Sequence, residues 1–346
     1  MNSPRQIFLT LAKIAIPLGI IVFLIYRVEP EQWESLSEHP KNYPLLVSAL
    51  LVAVGAISLS FIRWCLLVRC QGIELTMLEA HRLGAICFLL NFVSAGSVGG
   101  DLFKAIFLAK RRPGKRVQAV ASVMVDRGVG LYGLLLLASA AFVLQGGNLV
   151  SGVDSEDMQR LRYGSGLLVA IGTAVLCLLV FGGAFVDRLV RAGEKLPVVG
   201  EVVHRIGPPL RMFHHHPIAF GVSILMSLGV HSLLTVSIYL IARSLYPSVP
   251  TFAEHFIIVP IGMLASALPI TPAGIGVLEA AIEWLYHLIP AEPTLASGTL
   301  IALTFEMVKV IIAIAGTVFY WTAGEEVRDS LEEAEHDGEG NHEVAT

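Results

Sequence analysis

Apolar residues run along this chain in long blocks separated by short polar stretches. Blocks of about 20 residues or more, enough for a helix to cross a bilayer, cover 7–26, 44–68, 117–144, 164–186, 217–242 and 298–323. The pattern predicts about six spanning helices. Two further apolar stretches, 83–108 and 252–290, are interrupted, the first at Gly96, Gly99 and Gly100, the second at Pro260, Pro269, Pro272, Gly274 and Gly276. A glycine turn at membrane depth needs protein or water around its backbone groups, so each stretch is expected to be a re-entrant helical hairpin. Basic and apolar residues alternate over 187–216, as in amphipathic helices lying in the interface. The expected fold class is an all-α polytopic membrane domain over 1–324. An acidic tail, 325–346, is expected to be disordered.

Composition agrees with this reading. The 346 residues are 55% hydrophobic and 15% charged, with a mean hydropathy of +0.71, whereas soluble domains carry about 25% charged residues. A nucleic-acid partner is not expected. The formal net charge of −4 conceals an asymmetry: nine acids face one Arg from Glu325 onward, so the rest of the chain is positive. Its cations set the orientation. Arg63, Arg69 and Arg82 precede the Gly96 break, and Lys110, Arg111, Arg112, Lys115 and Arg116 follow it. The positive-inside rule places both groups in the cytoplasm, which requires 83–108 to enter and return. Segment 252–290 then enters from the opposite face, and both termini are cytoplasmic. Trp64 and Arg69 read as interface anchors. The four Cys form no C-x-x-C pair and read as packing residues. The first apolar block has no small-residue cleavage site and reads as a retained helix.

Several charged residues lie where lipid would be. Arg127 is about 16 Å along its helix from Arg116, near mid-membrane, where it should face protein or water. It either binds an anionic group or forms an ion pair with Asp101, Asp126, Glu279 or Glu306. Asp101 and Lys104 stand one turn apart after Gly99-Gly100. Asp101 is a candidate N-cap, and the backbone N–H groups of that helix start suit a phosphate. Glu279, Glu283 and His287 recur every four residues and form a polar stripe facing a cavity or an interface. Glu306 and Lys309 are spaced to neutralise each other, and His231 reads as a core histidine. His214, His215 and His216 point in different directions on a helix, so no metal site and no cofactor are expected. A short internal repeat links Ala95–Asp101 with Ala273–Glu279, each a glycine turn followed by an acid. Inverted repeats of this kind build transporters that bind substrate at interrupted helices.

Protease, metallohydrolase and phosphate-loop motifs are missing, so an enzyme is not expected. Three elements carry a resemblance: Gly96-x-x-Gly99-Gly100-Asp101-x-x-Lys104, the pair Asp126-Arg127, and Pro272-x-Gly274-x-Gly276-x-x-Glu279. In their order and spacing the chain resembles the lysylphosphatidylglycerol synthase transmembrane, or flippase-like, family. The resemblance implies a bacterial or archaeal cytoplasmic-membrane protein that moves lipids between leaflets. Fused synthases add a soluble aminoacyltransferase domain, which is not expected here. Lys104 stands where the family often has Arg, keeping the charge but giving up a bidentate grip on phosphate. The expected function is translocation of an anionic or zwitterionic lipid, with Arg127, Lys104, Gly99, Gly100 and Asp101 at the head group and Glu279 and Glu283, with Asp101, against its cationic or hydroxylated part. Membrane lipids are the expected partners, together with a lipid-modifying enzyme encoded separately. An accessory subunit and a small-anion transporter remain as alternatives.

Overall fold

Short helices sit between long ones in a pattern that occurs twice. The computed structural model describes residues 22–23, 25–26, 28–93, 99–112, 114–145, 156–182, 214–268, 271 and 274–321. Most of the expected first span, the interfacial stretch up to 213, the acidic tail, Gly96 and Pro272 lie outside the described residues. Among the described residues there are ten helices and no strands: α1 (Pro30–Glu38), α2 (Tyr43–Cys70), α3 (Met77–Val93), α4 (Gly99–Arg111), α5 (Arg116–Gln145), α6 (Glu156–Phe181), α7 (Pro217–Leu245), α8 (Phe252–Ser266), α9 (Val277–Leu288) and α10 (Gly298–Trp321). Four of them, α2, α5, α6 and α7, are long and apolar enough to cross a membrane. The apolar block at 298–323 forms the 24-residue helix α10.

Two boundaries differ from the sequence pattern. α1 lies in the polar stretch between the first two apolar blocks, where the pattern predicts no helix. It is started by Pro30 at N1 and by the Glu29 N–H donating to Gln32 Oε1 at 3.2 Å, a local cap that apolar periodicity does not register. α6 begins at Glu156, not at 164, because its first two turns are helical but polar.

α2 and α7 form an antiparallel pair through small residues, which let helix backbones approach closely. Ala49, Ala53 and Ala56 are fully buried, and Ser237 Oγ donates to the Ala49 carbonyl at 2.9 Å. At the start of α2, the Asn42 N–H donates to the carbonyl of Ser244 near the end of α7 at 3.1 Å.

The end of each helix of this pair leads into a short-helix hairpin. After α2, α3 and α4 go out and come back. Arg112, beyond α4, meets Glu74, ahead of α3, at 2.8 Å, and Lys115 Nζ donates to the Gly72 carbonyl at 2.6 Å. After α7, α8 and α9 do the same. Glu254 Oε1 accepts the Ala291 N–H at 3.0 Å, and Thr294 Oγ1 donates to the Ser248 carbonyl at 3.0 Å. Since α2 and α7 are antiparallel, the two hairpins open at opposite ends of the bundle. Each packs across onto the other half: α3 lies against α10, and α8 against α5. Where α3 crosses α10, a Cβ at Gly316 would come within 2.4 Å of the Ala85 carbonyl oxygen.

Large apolar side chains cover much of the outside, including Leu51, Met124, Leu168, Ile171, Leu225 and Ile311. An outer face of this kind suits lipid as solvent and would be a liability in water.

Candidate functional site

The site grows from the start of α4. A Cβ at Gly100 would stand 2.2 Å from the Cys87 carbonyl oxygen, so only glycine lets α4 lie this close to α3. The Gly100 N–H donates to Asn91 Oδ1 at 3.1 Å. Since the helix already runs from Gly99, Asp101 sits in its first turn and not at the N-cap. An acid there still interacts favourably with the helix dipole, and its carboxylate turns across to α5.

That carboxylate gathers two cations. Arg127 Nη1 donates to Asp101 Oδ2 at 2.6 Å, and Lys104 Nζ lies 3.7 Å from Oδ1. Lys104 also stands over the Trp64 ring, 5.0 Å from its centroid. Trp64 is fully buried, which corrects its reading as an interface anchor: α2 packs this part of its length against the hairpin. The three charged side chains carry one formal positive charge together. They are partly open, with 32% of the Arg127 side chain, 23% of Asp101 and 13% of Lys104 exposed. The cluster has the charge and the N–H donors that charge-assisted hydrogen bonds to an anion require.

Next to Arg127, Asp126 belongs to a different network. Its Oδ1 accepts from Arg63 Nε at 2.9 Å, and Arg63 Nη1 reaches Ser227 Oγ at 3.1 Å. Ser227 in turn donates to the Val129 carbonyl at 3.0 Å, and His231 Nε2 lies 3.0 Å from the Gly130 carbonyl oxygen. This buried network joins α2, α5 and α7. The sequence pattern counts Arg63 among the cytoplasmic cations; the structure instead buries it and pairs it with Asp126. The signal was an arginine one turn inside an apolar block, at the right depth to meet Asp126.

The second glycine turn builds a second cluster. Gly274 and Gly276 have φ of +75° and +88°, a region that favours glycine. The Gly276 N–H donates to Glu279 Oε2 at 2.6 Å, so Glu279 closes the start of α9 and is completely buried. Glu306 on α10 is also buried and meets Lys309 at 2.5 Å, as its spacing led one to expect. Glu279 lies within electrostatic reach of both.

The expected polar stripe divides. Glu283 accepts from Ser297 Oγ at 3.0 Å, the Thr299 N–H at 2.6 Å and Gln32 Nε2 at 3.1 Å, and meets His287 at 3.2 Å. It caps α10 and ties α1 to the hairpin, while Glu279 turns back to the Gly276 N–H at the start of its own helix. No group of His, Cys, Asp and Glu among the described residues is arranged to hold a metal.

A model of the lysylphosphatidylglycerol synthase TM region matches residues 10–316. The chain belongs to that family. No curated protein matches it. Membership and the apolar helices together make it a multi-pass membrane protein, and the family places it among membrane proteins of lipid metabolism. Both glycine turns and the Asp126-Arg127 pair fall inside the matched region.

Proposed function

We propose that this protein moves a phosphate-bearing lipid between the leaflets of a bacterial or archaeal cytoplasmic membrane, without covalent chemistry. One observation carries the reading: Asp101 gathers Arg127 and Lys104 into a partly open, net-positive cluster at the tip of an interrupted helix. Arg127 and Lys104 hold the lipid phosphate. Asp101 positions the two cations and does not itself touch the head group.

The hairpins support a transporter architecture. At 1.5 Å per residue, α3, α4, α8 and α9 are about 18–26 Å long, short of the roughly 30 Å hydrocarbon core. We therefore read α3–α4 and α8–α9 as re-entrant elements that enter from opposite faces. Helices α2–α5 and α7–α10 are then two inverted repeats, with alternating access by rocking of one against the other. The basic loop at 110–116 makes the α3–α4 side cytoplasmic.

The test uses purified full-length protein in vesicles containing tail-labelled phosphatidylglycerol and an impermeant quencher of the outer leaflet. Wild-type protein is expected to expose inner-leaflet label, and Arg127→Ala to slow this by tenfold or more. Equal rates in protein-free vesicles would end the reading. A second reading, a structural membrane subunit, draws on the Arg127–Asp101 ion pair: Arg127→Ala would then lower thermal stability and leave lipid movement unchanged.

A further inference from the structure

The two halves of the molecule treat equivalent acids differently. Asp101 and Glu279 each occupy the third residue of the second hairpin helix, with glycines just ahead of them in the sequence. A long helix follows in each half. In the first half that helix presents Arg127, and an ordinary ion pair results. In the second half, α9 packs against α10, which carries the buried Glu306. Two buried carboxylates therefore lie on neighbouring helices within electrostatic reach of each other, with Lys309 paired to Glu306.

The hydrogen bonds leave this arrangement incomplete. Glu279 Oε2 takes the Gly276 N–H, while its Oε1 is buried with no hydrogen-bond partner among the described residues. Glu306 Oε1 meets Lys309, and its Oε2 is buried and unpartnered in the same sense. Both ionised, the three groups carry one net negative charge, and a buried uncompensated charge is costly. Two carboxylates sharing a site do not both ionise readily. Other titratable groups on the packed elements are engaged elsewhere. Glu254 bonds to Thr251 and Ala291, His255 to Thr251 and Tyr286, His287 to Glu283, and Glu283 to the start of α10. On α3 Glu79 bonds to Thr76 and His81 to Ser58 and the Met77 carbonyl, and on α7 His231 meets the Gly130 carbonyl. The charges that act on Glu279 from α10 are Glu306 and Lys309.

We infer that Glu279 and Glu306 form a proton-binding site, one proton being shared by the pair beside Lys309. A proton satisfies an orphaned oxygen and neutralises the cluster at once, and it needs no coordination shell. A metal cation would be repelled by the Lys309 ammonium. Resting on the lipid-translocation reading, this site couples lipid movement to the proton gradient: loss of the proton leaves a buried negative charge that favours a different packing of α9 against α10.

The proton itself is read by infrared difference spectroscopy on full-length protein in ester-free detergent micelles. Wild type is expected to show the carbonyl band of a buried protonated carboxylic acid, shifting in D2O and lost in both Glu279→Gln and Glu306→Gln. No difference between wild type and either variant would overturn the site, and so would a band that follows sodium concentration instead of pH. In vesicles, an imposed pH gradient is expected to change the wild-type initial rate several-fold, in opposite senses when reversed. Both variants should lose that response, while Glu156→Gln, on the exposed start of α6, keeps it. If lipid moves and the band is absent, the proton site falls and the lipid reading stands. If the band is present and no lipid moves, the lipid reading falls and the proton site stands.

Discussion

Asp126 and Arg127 are neighbours in sequence and serve two different helices. Asp126 holds Arg63 of α2 at 2.9 Å, and Arg127 holds Asp101 of α4 at 2.6 Å. Consecutive helical residues point about 100° apart, so one dipeptide in α5 locks the scaffold with its acid and arms the hairpin tip with its base.

The Arg63–Asp126 pair is almost wholly buried, so removing one partner strands a charge. Asp126→Ala or Arg63→Ala should each destabilise the protein by about 3–5 kcal/mol. The apolar double variant Arg63→Met/Asp126→Leu should recover most of that loss, since replacing both members of a buried pair is often nearly neutral. Thermal unfolding in detergent checks the order; a double variant less stable than both singles would contradict it.

Gly100 and Gly128 offer a paired contrast. Gly100→Ala puts a methyl group against the Cys87 carbonyl and must push α4 off α3. Its melting temperature should fall by several degrees, with slower lipid movement because Asp101 shifts. At Gly128 a Cβ meets nothing within 4 Å, so Gly128→Ala should stabilise α5 by about 0.5–1 kcal/mol. Similar losses in both would show that backbone flexibility, not close approach, is what matters at Gly100.

At Lys104, charge and geometry can be separated. Lys104→Arg keeps the charge and adds a planar fork suited to phosphate, so the initial rate with labelled phosphatidylglycerol should match or exceed wild type. Lys104→Ala removes a charge-assisted contact of about 1.5–3 kcal/mol and should slow movement roughly tenfold or more. An unchanged rate in Lys104→Ala would make the cluster a packing device.

Glu283 should behave as a structural residue. Glu283→Gln weakens the cap on α10 and the bridge to Gln32, at a cost of about 1–2 kcal/mol. Hydrogen exchange should speed up at Ser297–Leu300 and around α1, with little change at α4. Loss of lipid movement without any change in exchange would assign Glu283 to the transport path instead.

The sequence by itself determined the all-helical membrane class, the long helices α2, α5 and α7, and the division of two apolar stretches into pairs of shorter helices. Each of these follows from local rules: runs of apolar residues, the bilayer's thickness, and the backbone freedom of glycine. It also determined that Glu306 and Lys309 would pair, since one helical turn separates them. The partners of Asp126 and Arg63, the burial of Trp64, and the division of the Glu279–Glu283–His287 stripe were decided by tertiary structure alone. Those depend on which helix lies opposite at a given depth, and periodicity along one helix carries no information about its neighbour. That an acid follows the glycines in each half could be read from the chain. That Asp101 pairs with an arginine, while Glu279 keeps a buried oxygen with no hydrogen-bond partner among the described residues, required the folded molecule.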